Sequence, residues 1–149
     1  AEKLIILGDF SSYYFSSTDF EVAEMLNNMA GAIIAVKGNC DNSEIEGIFN
    51  FSLAYIRNIT VNNTKITLTH GHIYNRNNLP EECGQIFLYG HTHVGNIEKI
   101  GDRIIANPGS ISKPRGGSSN TYIIIDEENI ILKKLGGDVI RKIDINNKL

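Results

Sequence analysis

The four histidines of the chain fall in two short clusters, Thr69-His70-Gly71-His72 and Gly90-His91-Thr92-His93, and nowhere else among its 149 residues. Imidazole nitrogens together with carboxylate and amide oxygens suit manganese, zinc, iron, cobalt or nickel. A histidine taken alone is more often a surface or satisfied core residue, since this side chain is intermediate in burial. Four of them in two clusters reverse that reading. His91 and His93 lie two apart, so on an extended strand both point to one face and make a chelating pair. Two further polar clusters, Gly8-Asp9 and Gly38-Asn39-Cys40-Asp41, add a carboxylate and an amide oxygen. The carbonyl oxygen of Asn39 can ligate a cation without adding negative charge.

Each cluster stands where an apolar run stops, which places it at a strand exit. Residues 3–7 read as a strand buried on both faces that ends at Gly8-Asp9, and residues 32–36 as a second one that ends at Gly38-Asn39. Between them Thr18, followed three residues later by Glu21, reads as a capping box. Phe20, Val22, Ala23, Met25, Leu26 and Met29 then supply a helical apolar face, and Gly31 stops the helix. Strand, helix, strand is the order of a parallel crossover unit. Farther on, residues 57–61 and 65–69 flank the turn Asn62-Asn63-Thr64 and predict a hairpin. Residues 86–89, the segment before Gly101-Asp102, residues 103–106 and residues 122–125 continue the strand-rich reading. Gly136-Gly137-Asp138 marks a last hairpin between residues 130–135 and 139–145. The expected fold class is α/β, two packed β-sheets flanked by helices in an α-β-β-α sandwich, as one domain over residues 1–149. In open α/β sheets ligands bind beyond the carboxyl ends of the strands, where these polar clusters lie.

Composition narrows the partners. Fourteen basic residues against 17 acidic ones give no broad cationic field of the kind that holds a nucleic-acid polymer. The apolar runs are far too short to cross a bilayer, so no membrane partner is expected. Without the basic start and long apolar segment of a secretory signal, a cytoplasmic location is favoured. Two cysteines, Cys40 and Cys83, make no disulfide framework and read as free thiols in a reducing compartment.

Gly8-Asp9, Gly38-Asn39-Cys40-Asp41, Thr69-His70-Gly71-His72 and Gly90-His91-Thr92-His93, followed by Asn107-Pro108-Gly109-Ser110, resemble the ordered signature of calcineurin-like metallophosphoesterases. They look like the pattern of the small prokaryotic phosphodiesterase branch. Any one tetrapeptide is weak evidence, whereas five in order on the right elements are strong. The resemblance implies two divalent metal ions (Mn, Zn, Ni or Fe) and a small phosphodiester substrate, with a homo-oligomer left open. Asp9 would bridge the metals, Asn39 and His70 would bind one of them, and His91 and His93 would be divided between the two. The implied reaction is in-line attack on phosphorus by a metal-activated water.

The same resemblance extends to the remaining candidates. Asp9, Asn39, His70 and His72 are the expected catalytic residues, with His72 a proton donor or phosphate contact. Asn39, His72, Ser110 and Arg115 are the expected substrate contacts, the last two carried by a glycine-rich basic loop. Cys40 stands where many relatives place a histidine that helps protonate the leaving group, and the small phosphodiesterases commonly carry this cysteine. Tyr13, Tyr14 and Phe15 read as cleft wall or exposed patch. The family pattern also opens with a strand bearing an Asp-x-His motif, which this sequence lacks ahead of Asp9. The domain is therefore expected to be N-terminally incomplete by one strand-helix unit, leaving the second metal with Asp9 and His93 alone. Two other readings are a non-catalytic protein-binding scaffold on the same fold and a mononuclear metal protein.

Overall fold

The structure, a computed structural model, describes residues 2–12 and 16–147. Tyr13, Tyr14 and Phe15, read above as cleft wall, lie outside the described residues. The chain opens with the expected crossover: β1 (Leu4–Ile6), α1 (Ser17–Asn27) and β2 (Ile33–Val36), with β1 and β2 paired in parallel. The capping box is real but sits two residues earlier than the sequence suggested. Ser16 accepts from the Asp19 amide at 3.3 Å, and the Asp19 carboxylate accepts from the Ser16 amide at 2.7 Å, satisfying two otherwise orphaned donors. Of the six apolar residues assigned to the helix face, only Ala23 and Leu26 are buried, one turn apart; Phe20, Val22, Met25 and Met29 are exposed.

A short helix α2 (Ser43–Ile48), capped by the Asn42 side chain, and the two-residue β3 (Leu53–Ala54) complete this unit. Neither carries a long enough apolar pattern to stand out in the sequence. The hairpin β4 (Ile56–Val61) and β5 (Thr64–Thr69) turns through Asn62 and Asn63, both left-handed at φ 46° and 66°, the conformation a two-residue hairpin turn requires. β6 (Ile86–Leu88), β7 (Gly95–Ile100) and β8 (Arg103–Pro108) join that hairpin in a five-stranded sheet of order β4-β5-β6-β8-β7. The chain ends in the antiparallel strands β9 (Thr121–Ile125), β10 (Asn129–Lys134) and β11 (Val139–Asp144).

Alternation along the strands decides how the layers meet. Ile66, Leu68, Ile86, Leu88, Ile97, Ile104 and Ala106 of the five-stranded sheet share one buried cluster with Val36, Ile130 and Leu132. Ile5, Ile34, Ile123 and Ile143 close around it. One face of the five-stranded sheet thus packs against two three-stranded sheets, β1-β2-β3 and β11-β10-β9, which together form the second layer. The expected two-layer α/β arrangement holds, with its second layer divided. β1 pairs only with β2, and β9 only with β10, among the described residues. The outer face of the five-stranded sheet buries Phe87, Tyr89 and Ile105 under Tyr74, Leu79 and Cys83 from the loop that connects β5 and β6. Among the described residues no helix is long and apolar enough to cross a membrane.

Candidate metal centre

The carboxyl ends of β1, β2, β5 and β6 open into four loops that meet. Close approach is possible because glycine lines the contact: a Cβ on Gly8, at φ +92°, would stand 2.5 Å from the Gly38 nitrogen and 2.9 Å from His70 Nδ1. Three residues besides glycine at this end are held at positive φ, Asp9 at 57°, His91 at 65° and His93 at 61°. Such conformations cost free energy and cluster where surrounding structure fixes them for function. They also correct the sequence expectation for His91 and His93. The pair lies in a left-handed turn after β6, with no extended strand to aim both rings to one face.

His70 is the buried centre, 3 % exposed. Its Nδ1–H donates to the Leu7 carbonyl at 2.6 Å, which leaves Nε2 to face inward. Around Nε2 stand Asn39 Oδ1 at 3.0 Å, Asp9 Oδ2 at 3.2 Å and His91 Nδ1 at 3.2 Å. Ligand atoms of Asp9, His70 and His91 all lie within 4.8 Å of one another. The other Asp9 oxygen accepts from the Cys40 amide at 2.9 Å. Two oxygens with no proton to give and a ring nitrogen whose proton is committed elsewhere form a donor set that fits a divalent cation.

His93 stands on the same loop but outside that group; its Nδ1–H donates to the Lys113 carbonyl at 2.7 Å, so its Nε2 is the nitrogen available for ligation. His72 packs its ring 5.3 Å from that of His70 and 6.1 Å from Tyr55, and its buried Nδ1 has no partner among the described residues. Arg115 is tied to the site through its backbone amide, which donates to the His93 carbonyl at 3.0 Å. The Ser110 hydroxyl accepts from the Lys113 amide at 2.9 Å, a turn-shaping contact within the loop that carries Arg115.

The electrostatics follow from this crowding. Burial would raise the Asp9 pKa, but His70 and the Cys40 amide outweigh it and hold the carboxyl below its usual range. Burial would lower that of His70, but Asp9 and the Leu7 carbonyl outweigh it and raise it. His72 and His91 are both pushed down, first by burial and then by His70, so their neutral, ligating form is favoured.

Two residues that the sequence reading did not single out support the site. Asn107, 1 % exposed, donates from Nδ2 to the Gly90 carbonyl at 2.8 Å and to Thr92 Oγ1 at 3.0 Å, while its Oδ1 accepts from the Gly109 amide. Asp41, 3 % exposed, accepts three backbone N–H groups. Each sits inside a motif already quoted, so the signal was present as a polar residue at a strand exit.

Comparison with known proteins gives a consistent picture. A family model described as the calcineurin-like phosphoesterase superfamily domain matches residues 1–129. The phosphodiesterase YfcE of Escherichia coli strain K12 is 32% identical over 155 residues, spanning 98% of this chain and 84% of that protein. A solved structure of YfcE, described as a phosphoesterase from E. coli, superposes with a TM-score of 0.88 at 31% identity, over 98% of this chain and 85% of that one. A single mutant of Vps29 from Entamoeba histolytica superposes with a TM-score of 0.68 at 21% identity, over 97% of this chain and 83% of that one, a likeness of fold alone.

Proposed function

The chain belongs to the calcineurin-like phosphoesterase superfamily, and from that membership we propose that it is a metal-dependent phosphodiesterase acting on small phosphodiesters. The observation that carries this reading is the meeting of Asp9 Oδ2, Asn39 Oδ1 and His91 Nδ1 around His70 Nε2, all at 3.0 to 3.2 Å. Asp9, Asn39, His70 and His91 would hold one divalent ion and Asp9 with His93 a second; manganese, zinc, nickel and iron all suit these donors. When bound, the ions supply Lewis acidity that activates water and stabilises charge on the phosphoryl oxygens.

The protein's own groups have distinct tasks. Asn39 contributes an uncharged oxygen, so the site keeps enough positive potential to attract a phosphodiester anion. His72, half-buried beside His70, is the proposed hydrogen-bond partner or proton donor for a phosphoryl or leaving-group oxygen. Arg115 and Ser110 are the proposed substrate contacts from the loop tied to His93, where the Ser110 hydroxyl also accepts from the Lys113 amide. Hydrolysis of an activated aryl phosphodiester with added Mn2+ tests the proposal. Metal-dependent turnover by the wild type, lost in Asn39→Ala and His70→Ala, supports it; equal activity in those variants and the wild type overturns it.

A further inference from the structure

The Asp41 carboxylate joins two loops that do not otherwise share a strand. Its Oδ2 accepts the backbone amides of Asp9 at 2.8 Å and Gly38 at 2.7 Å, and its Oδ1 accepts that of Phe10 at 3.0 Å. Asp9 and Phe10 follow β1, whereas Gly38 follows β2. The carboxylate therefore occupies a nest of amides from both loops, a concavity of the kind that elsewhere binds external anions. It is 3 % exposed, and charge-assisted bonds of this type are roughly twice as strong as neutral ones.

We propose that Asp41 is a positioning residue for the metal centre, holding Asp9 in its left-handed conformation and fixing the Asp9 carboxylate and the Asn39 carbonyl on one point. Asp41 reaches no ligand atom itself. It acts through the backbone on either side: the Asp9 amide that it binds belongs to the residue held at φ 57°, and the Gly38 amide adjoins Asn39. The return contact, Cys40 amide to Asp9 Oδ1 at 2.9 Å, closes the link from the other side. With Asp41 gone, Asp9 keeps only the Cys40 and His70 contacts of its carboxylate, and loses the acceptor of its amide, in a conformation that non-glycine residues rarely adopt. The inference rests on the metal-site reading above only for its functional consequence; the tether itself is read independently.

Asp41→Asn preserves shape but places an NH2 group either against the Phe10 amide or against both the Asp9 and Gly38 amides, and Asp41→Ala removes every acceptor. Cobalt(II) titration followed by its visible spectrum, with amide hydrogen exchange on the metal-free protein, separates the possibilities. Expected are cobalt binding weaker by about 10 to 100-fold in Asp41→Asn, more so in Asp41→Ala, an altered cobalt spectrum, and faster exchange confined to Asp9, Phe10 and Gly38. Unchanged cobalt affinity and spectrum in folded variants would overturn the positioning role. Weakened cobalt binding with full protection of the three amides would overturn it too, because the carboxylate would then act by charge alone. If the wild type binds no cobalt, the metal-site reading fails, while loss of protection in Asp41→Asn still supports the tether. Should neither variant fold, slow exchange of the three amides in the wild type supports the tether and rapid exchange overturns it.

Discussion

Asn39 Oδ1 and His70 Nε2 face each other at 3.0 Å, and in the neutral ring the one N–H of His70 is committed to the Leu7 carbonyl through Nδ1. Two lone pairs at that distance repel unless a positive charge lies between or beside them. A metal ion supplies one, and a second proton on His70 supplies another. The two therefore compete for the same place, and most of the chemistry expected here follows from that competition.

Removing either ligand should abolish function. Replacing a group that supports a metal ligand commonly costs about 10 to 100-fold in affinity or activity, and loss of the ligand itself should cost more. Asn39→Ala and His70→Ala are expected to lower metal-dependent kcat/KM on an aryl phosphodiester by roughly a hundredfold or more. Steady-state kinetics over a range of metal concentrations would show it; rescue of either variant to wild-type rates by excess metal would argue for mere weakening of affinity.

In the metal-free protein His70 should hold its proton to a higher pH than an ordinary imidazole, because Asp9 and the Leu7 carbonyl outweigh burial. The sign is that of a raised folded pKa. Its stabilising contribution is complete below the unfolded value, about 6.5, and is lost as pH rises through the folded one. Metal binding runs the other way, since only neutral His70 can ligate, so affinity should fall on acidification through that raised pKa. NMR titration of the His70 ring with and without Zn2+ reads both effects. A ring that titrates below the ordinary value without metal, or unchanged with it, would contradict this account.

Gly8 has no room for a side chain. At φ +92° and with a Cβ position 2.5 Å from the Gly38 nitrogen, Gly8→Ala must push apart the two loops that carry Asp9 and Asn39. Strain of about 1–3 kcal/mol is expected from the backbone alone. Urea denaturation should show that loss, and metal titration should show weaker binding. Gly136→Ala, whose Cβ would meet nothing within 4 Å, should leave metal binding intact.

Much of this site was legible in the sequence because polar clusters interrupt apolar strands: Asp9, Asn39, His70 and His91 all converge as their motifs suggested. The hairpin at Asn62-Asn63 was legible for a similar reason, since asparagine tolerates the left-handed turn. What failed were statements that needed three dimensions. The spacing of His91 and His93 assumed an extended backbone, but the turn after β6 places both at positive φ. Phe20 and Met25 look like core residues on a helical wheel, yet the helix buries only Ala23 and Leu26. The loop cover over Phe87 and Tyr89 has no periodicity to announce it. Asp41 and Asn107 act through backbone amides and carbonyls, partners whose position no side-chain pattern encodes.

Asn107 offers a sharp test of how much geometry the His91 turn needs. Its Nδ2 donates to the Gly90 carbonyl, the residue just before His91, and to Thr92 just after it. Asn107→Asp keeps the shape and the acceptor for the Gly109 amide but turns an oxygen toward the Gly90 carbonyl at about the same place. A buried group left facing a like partner costs about 1–3 kcal/mol, and relief requires the turn to move. His91 would then be displaced from His70, and metal affinity should fall by about 10 to 100-fold although no ligand is changed. Calorimetric metal titration beside a denaturation curve separates the two losses. If Asn107→Asp loses stability while retaining wild-type metal affinity, the His91 turn is held by other contacts and Asn107 serves the fold alone.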